Sequence, residues 1–139
     1  MTNILVIDDD STIRFLLKAI LEQAGYHVLC ASGGDEGLQL FRAHTIELVI
    51  TDILMPGTDG LAVIRELLAS DPETKIIALS GGGMVLTAEI SLHVARRMGA
   101  FESLAKPFTR DELLAMVHRI LQASELSTGE ALQDALPLP

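Results

Sequence analysis

Asp8 and Asp9 follow directly on the apolar run Ile4-Leu5-Val6-Ile7, and a second apolar run, Leu48-Val49-Ile50-Thr51, ends in Asp52. Carboxylates gathered at strand ends repel one another and raise each other's pKa, so a hard cation such as Mg2+, which takes oxygen ligands, is their economical partner. Two later apolar runs end in Ser80 and in Lys106, the latter followed by Pro107. Phosphoryl transfer needs a nucleophile, a metal to neutralise the equatorial oxygens and donors for the remaining charge. Asp8, Asp9, Asp52, Ser80 and Lys106 supply those parts.

These residues can cooperate only if the runs that carry them lie side by side. Strand patterns at 4–7, 27–31, 47–51, 75–79 and 101–105 alternate with helical ones. That alternation predicts an α/β doubly wound sheet of five parallel strands covered by five helices. The β-branched, continuously apolar character of the strands fits burial on both faces. In such sheets ligands bind beyond the carboxyl ends of the strands, where the acids sit. Ile13, Leu16, Leu17, Ile20, Leu21 and Ala24 recur at helical spacing after Asp10 or Ser11 as cap, and Gly25 suits a left-handed end. Ser32 with Asp35, and Thr109 with Glu112, form capping-box patterns before a second and a last helix. Leu61, Ile64, Leu67 and Leu68 mark a third, and a fourth falls somewhere within 86–98. The pattern weakens after Gln122, so 1–122 is expected to be the domain and 123–139 a tail, as a short extra helix or a frayed end.

A chain of 139 residues that is 49% hydrophobic has enough apolar material for one core. Its formal net charge of -9 argues against direct nucleic-acid binding, because phosphate neutralisation needs clustered Lys and Arg. The single cysteine, Cys30, can form no internal disulfide and is expected as a buried small hydrophobe in a reducing compartment. Neither a leader nor a membrane span is visible, and a cytoplasmic location is expected. The sequence also suggests no attached output domain. His27, His44, His93 and His118 lack the spacing of metal ligands.

In order and placement, ILVIDDD, ELVITDILMPGTDG, IIALSGG and LAKPF resemble the receiver domain of two-component response regulators, the family of the bacterial chemotaxis regulator. The resemblance covers about residues 3–122. It implies a flavodoxin-like fold with strand order 2-1-3-4-5 and a phosphoacceptor at Asp52. It further implies Mg2+ held by Asp9, Asp52 and the backbone carbonyl of Leu54, with Asp8 acting through water. Ser80 and Lys106 would contact phosphoryl oxygens, and the Lys106-Pro107 bond would be cis. The donor would be a sensor histidine kinase or a histidine phosphotransfer protein in a phosphorelay. Such a domain assists its own phosphorylation and dephosphorylation without being an enzyme in the usual sense. Its output would be contact with a downstream protein, or with a second copy, through the fourth helix, fifth strand and fifth helix.

The chain departs from that pattern in three ways. Ser103 stands where receivers usually place Tyr or Phe three residues before the Lys, so the aromatic half of the usual switch is missing. The stretch between Ser80 and Lys106 is long and opens with Gly81, Gly82 and Gly83, whose freedom in φ and ψ suits a responsive loop over 81–87. Leu54 and Gly82, at the positions that commonly tune hydrolysis, offer no polar side chain. Two other readings stay open at this point. Asp8-Asp9-Asp10-Ser11-Thr12 also fits the signature of haloacid dehalogenase phosphatases, with Asp8 as nucleophile and Asp10 as acid, although Lys106 then follows the later acid in the wrong order. A receiver-like binding module independent of phosphorylation is the other. Asp10 by itself reads more simply as a helix cap.

Overall fold

The computed structural model describes residues 2–55, 58–80 and 102–135. The element order is β1 (Asn3–Ile7), α1 (Ser11–Gln23), β2 (His27–Ala31), α2 (Gly34–Ala43), β3 (Leu48–Asp52), β4 (Leu54–Met55), β5 (Thr58–Asp59), α3 (Gly60–Ser70), β6 (Lys75–Ser80), β7 (Glu102–Ala105) and α4 (Arg110–Ala135). It divides into two compact units, Met1–Phe108 and Thr109–Pro139.

In the first unit five parallel strands form one sheet in the order β2-β1-β3-β6-β7, which is 2-1-3-4-5 when only its own strands are counted. The short β4 and β5 pair antiparallel beside it. Alternation along the strands sorts the core. Leu5, Ile7, Val49, Ile76 and Ala78 pack with Leu38 of α2 and with Val63, Ile64 and Leu67 of α3. Ile4, Val6, Leu48 and Ile50 turn to the other face, where α1, in contact with β1 and β2, buries Leu17, Ile20 and Leu21. Fully burying an aliphatic side chain contributes about 1.5–3 kcal/mol, so this two-sided core can hold polar groups at the strand ends against their desolvation cost.

Helix ends follow local chemistry. Asp10 caps α1, its carboxylate accepting from the N–H groups of Thr12 and Ile13 at 2.9 and 3.4 Å. Gly25 closes the same helix with φ of 97°, a left-handed conformation that disfavours other residues. The capping box expected before α2 is shifted. Gly33 is the N-cap and gives no side-chain bond, while Glu36 rather than Asp35 reaches back to the Ser32 N–H at 3.0 Å. Two acids stand side by side there, and the one whose helical position points back towards Ser32 makes the bond. A Cβ at Gly37 would meet the Ile7 side chain, which would have to shift to admit it.

In the second unit Thr109 and Glu112 form the reciprocal box, at 3.0 and 3.1 Å. The helix they open runs without a break to Ala135. The fourth helical pattern and the glycine-led loop, expected within 81–98, lie outside the described residues. Cys30 is half-buried rather than buried, on the edge strand β2. Burial nonetheless pushes its thiol pKa up, which disfavours the reactive thiolate. Among the described residues no helix is long and apolar enough to cross a membrane.

Candidate phosphoacceptor site

Strand register places the polar residues before any side chain is considered. Ile7 lies opposite Thr51, so the next residue on each strand is an acid, Asp8 beside Asp52. Asp52 lies opposite Leu79, and Ser80, one residue on, lies opposite Ala105, with Lys106 next. The ladder continues past the strands through Ile53 N–H to Leu79 O at 3.1 Å and Lys106 N–H to Ser80 O at 2.6 Å. The Lys106-Pro107 bond is cis.

Lys106 bridges the two buried acids. Its Nζ donates to Asp8 Oδ2 at 2.8 Å and to Asp52 Oδ2 at 2.9 Å, with only 16% of its side chain exposed. Asp8 is fully buried and Asp52 nearly so. Burial raises the Asp8 carboxyl above its ordinary pKa, against the opposing pull of the Lys106 hydrogen bond and of the Asp10 N–H on its other oxygen. For Lys106, burial alone would favour the neutral amine, but hydrogen bonds to Asp8 and Asp52 outweigh it and raise its pKa. One ammonium thus faces two buried carboxylates, and Asp9 adds a third, exposed acid. Single oxygens of Asp8, Asp9 and Asp52 lie within 4.8 Å of one another. That donor set, all hard oxygen with an excess of negative charge, fits a small divalent cation. Ser80 Oγ, fully buried, has no hydrogen-bond partner among the described residues. A buried hydroxyl without a partner costs about 1–3 kcal/mol, and a site that a ligand oxygen completes is one setting in which that cost is retained.

Of the site residues proposed from sequence, Asp8, Asp9, Asp52 and Lys106 come together as described, and register brings Ser80 to the same edge. Leu54 lies in β4 with its backbone paired to Asp59. Ser103 is half-buried on β7, opposite Ala78. Two contacts were not foreseen. Thr51 Oγ1, buried, donates to the Asp52 carbonyl at 3.1 Å, and Arg14 Nη1 donates to the Asp8 carbonyl at 2.7 Å. Thr51 looks like any β-branched strand residue. Arg14 carried a signal, since a cation in the first turn of a helix opposes the helix dipole.

The model of the response regulator receiver domain matches residues 4–118. The chain belongs to the response regulator receiver domain family. A receiver domain protein from Clostridium thermocellum superposes with a TM-score of 0.82 at 37% identity, over 91% of this chain and 98% of that one. The response regulator protein TrrA from Thermotoga maritima, solved in complex with Mg(2+)-BeF, does so with a TM-score of 0.72 at 38% identity, over 86% of this chain and 98% of that one. The C4-dicarboxylate transport transcriptional regulatory protein DctD of Rhizobium meliloti is 33% identical over 98% of this chain, yet the match spans only 30% of DctD. The probable transcriptional regulator ycf27 of Porphyra purpurea is 36% identical over 90% of this chain and 49% of its own length. This receiver domain therefore corresponds to half or less of those curated relatives. The family match takes in the Asp8–Thr12 run, so that run belongs to the receiver pattern and the dehalogenase reading gains no support.

Proposed function

We propose that this receiver domain accepts a phosphoryl group on Asp52 from the phosphohistidine of a sensor histidine kinase or a histidine phosphotransfer protein. A carboxylate oxygen of Asp52 attacks phosphorus, the P–N bond breaks, and its electron pair returns to the imidazole. Asp8, Asp9, Asp52 and the Leu54 backbone carbonyl would hold Mg2+. When bound, the ion supplies charge neutralisation for the phosphoryl oxygens. Lys106, already between Asp8 and Asp52, would turn to a phosphoryl oxygen, and the Ser80 hydroxyl would donate to another. The observation that carries this reading is the Lys106 ammonium bridging two buried carboxylates, at an edge where the buried Ser80 hydroxyl has no partner among the described residues. The TrrA structure named above, with Mg(2+)-BeF bound, supports it by family likeness.

Residues 1–122 would then act as the receiver and 123–139 as its tail, in the cytoplasm. With net charge -9, output by protein contact is favoured over direct DNA contact. A downstream protein or a second copy would read the state by contact with this domain.

Asp52→Asn is expected to abolish labelling by a cognate kinase or by a small acyl phosphate. Undiminished label in that variant, or label mapped to Asp8, refutes the assignment.

A further inference from the structure

Asp8 uses every polar group it has. Its N–H donates to Ala31 O at 3.1 Å, its Oδ1 accepts from the Asp10 N–H at 2.9 Å, its Oδ2 accepts from Lys106 at 2.8 Å, and its carbonyl accepts from Arg14 Nη1 at 2.7 Å. The first bond extends the sheet, the second belongs to the turn into α1, and the third is the ion pair of the site. Neither the fold nor phosphoryl chemistry calls for the fourth. Arg14 sits in the first turn of α1, where its own N–H closes a helical bond to the Asp10 carbonyl at 3.0 Å. The positive end of the helix dipole disfavours a cation there. Its half-buried side chain folds back across the loop that carries Asp8, Asp9 and Asp10.

A peptide group is planar, so a donor that fixes the Asp8 carbonyl also fixes the Asp9 N–H and Cα lying in the same plane. Asp9 is exposed, yet its carboxylate belongs to the cluster within 4.8 Å. We infer that Arg14 is a positioning residue: by clamping the Asp8 carbonyl it sets the Asp8-Asp9 peptide plane and holds the Asp9 carboxylate beside Asp8 and Asp52 for a divalent cation. This inference rests on the proposed Mg2+ site.

The clamp and the charge of Arg14 act with opposite signs. Removing a nearby cation would by Coulomb's law tighten Mg2+ binding, whereas removing a clamp loosens it. Replacing the outer hydrogen-bond partners of metal ligands typically weakens metal binding by about 10-fold to 100-fold. Calorimetric titration of Mg2+ into the metal-stripped protein is the test, with Arg14→Gln, Arg14→Lys, Asp9→Asn and the double variant beside wild type. Arg14→Gln is expected to weaken binding about tenfold. Arg14→Lys, which keeps the charge and a donor on a comparable stem, should recover part of the loss. In the Asp9→Asn background the Arg14→Gln loss should largely vanish, because the clamp acts through Asp9. With acyl phosphate as donor, the Mg2+ concentration giving half-maximal labelling should rise in step, while the rate at saturating Mg2+ changes less. Thermal unfolding in chelator verifies that each variant is folded. Equal or tighter Mg2+ binding by Arg14→Gln, or an undiminished loss in the Asp9→Asn background, overturns the assignment of Arg14 alone. Absence of Mg2+ binding by wild type overturns the proposed function with it.

Discussion

The two ends of the sheet are built from similar residues and treat them in opposite ways. At the amino end, Glu47 Oε2 accepts from the Asn3 N–H at 2.6 Å, Asn3 Nδ2 donates to Thr45 O at 2.8 Å, and His27 Nδ1 lies 3.1 Å from Asn3 Oδ1. These groups are exposed or half-buried, and each has a neutral or local partner. At the carboxyl end the acids Asp8 and Asp52 are buried and share the Lys106 ammonium, and the buried Ser80 Oγ has no partner among the described residues. The amino end staples strands together; the carboxyl end carries an unbalanced charge that the core holds in place. Unbalanced burial is therefore a better guide to the working edge than the count of polar residues.

The contrast is broken most severely through Lys106. Lys106→Met leaves two buried carboxylates without their cation, and breaking such a pair typically costs about 3–5 kcal/mol. Urea unfolding in chelator should register a loss of that order. Added Mg2+ should restore more stability to the variant than it adds to wild type, because the ion would supply the missing charge. A loss below about 1 kcal/mol would place the pair with solvent-screened surface ion pairs.

The metal comes next. At about 100 times its Kd, a ligand that binds only the folded state adds about 2.7 kcal/mol. Mg2+ should raise the thermal midpoint of wild type, chelator should reverse the rise, and Asp9→Ala should blunt it. No metal-dependent shift in wild type would remove the reason for the three acids to cluster.

Acidity offers a smaller test in metal-free buffer. Burial raises the Asp8 carboxyl, so between its unfolded and folded pKa the native state keeps a proton that the unfolded chain releases. Stability from this group is thus greatest in acid and falls as pH rises through the window that starts at the ordinary carboxylate range. Lys106 has the same sign at the alkaline end: its raised pKa means stability present below the ordinary lysine value and lost as pH climbs through the folded one. Asp8→Asn should flatten the acid-side fall. An unchanged slope in that variant would assign the effect elsewhere.

How much of this was legible in the sequence depends on the kind of information each feature needs. Apolar runs closed by Asp, Ser and Lys disclosed the strands and the working edge, because residues at equivalent strand ends converge in any parallel register. Asp10 as a cap and Gly25 as a helix end were legible because their partners are local. The Ser32 box was misplaced because Asp35 and Glu36 compete for one N–H and only helical phase decides between them. Cys30 was expected to be buried and is half-buried, although Val28 and Ala31 of the same strand are buried, so its exposure depends on what covers that end of β2, which residue type does not disclose. The Arg14 clamp is local in sequence, at six residues' separation from Asp8, and a cation in the first turn of α1 hints at it, but residue types do not name the backbone carbonyl it reaches.

The smallest expected effect tests the amino end itself. Glu47 is exposed, and its bond to the Asn3 N–H, although short, lies in water, where competition for the donor and loss of side-chain freedom offset most of the gain. Glu47→Gln keeps an acceptor in place and removes only the charge. Because charge-assisted surface bonds are typically worth about 1 kcal/mol or less, unfolding free energy should fall by no more than that. More telling is the coupling. The pair Asn3 and Glu47 lies at one end of β1 and β3, and Asp8 and Asp52 at the other, so the two groups share strands but no partners. Separated sites without shared partners add, so the Mg2+ affinity of Glu47→Gln should match wild type and its stability loss should be the same with and without metal. If Glu47→Gln shifts the Mg2+ titration as Arg14→Gln is expected to, the two ends are coupled along the strands, and the division between a stapling end and a working end fails.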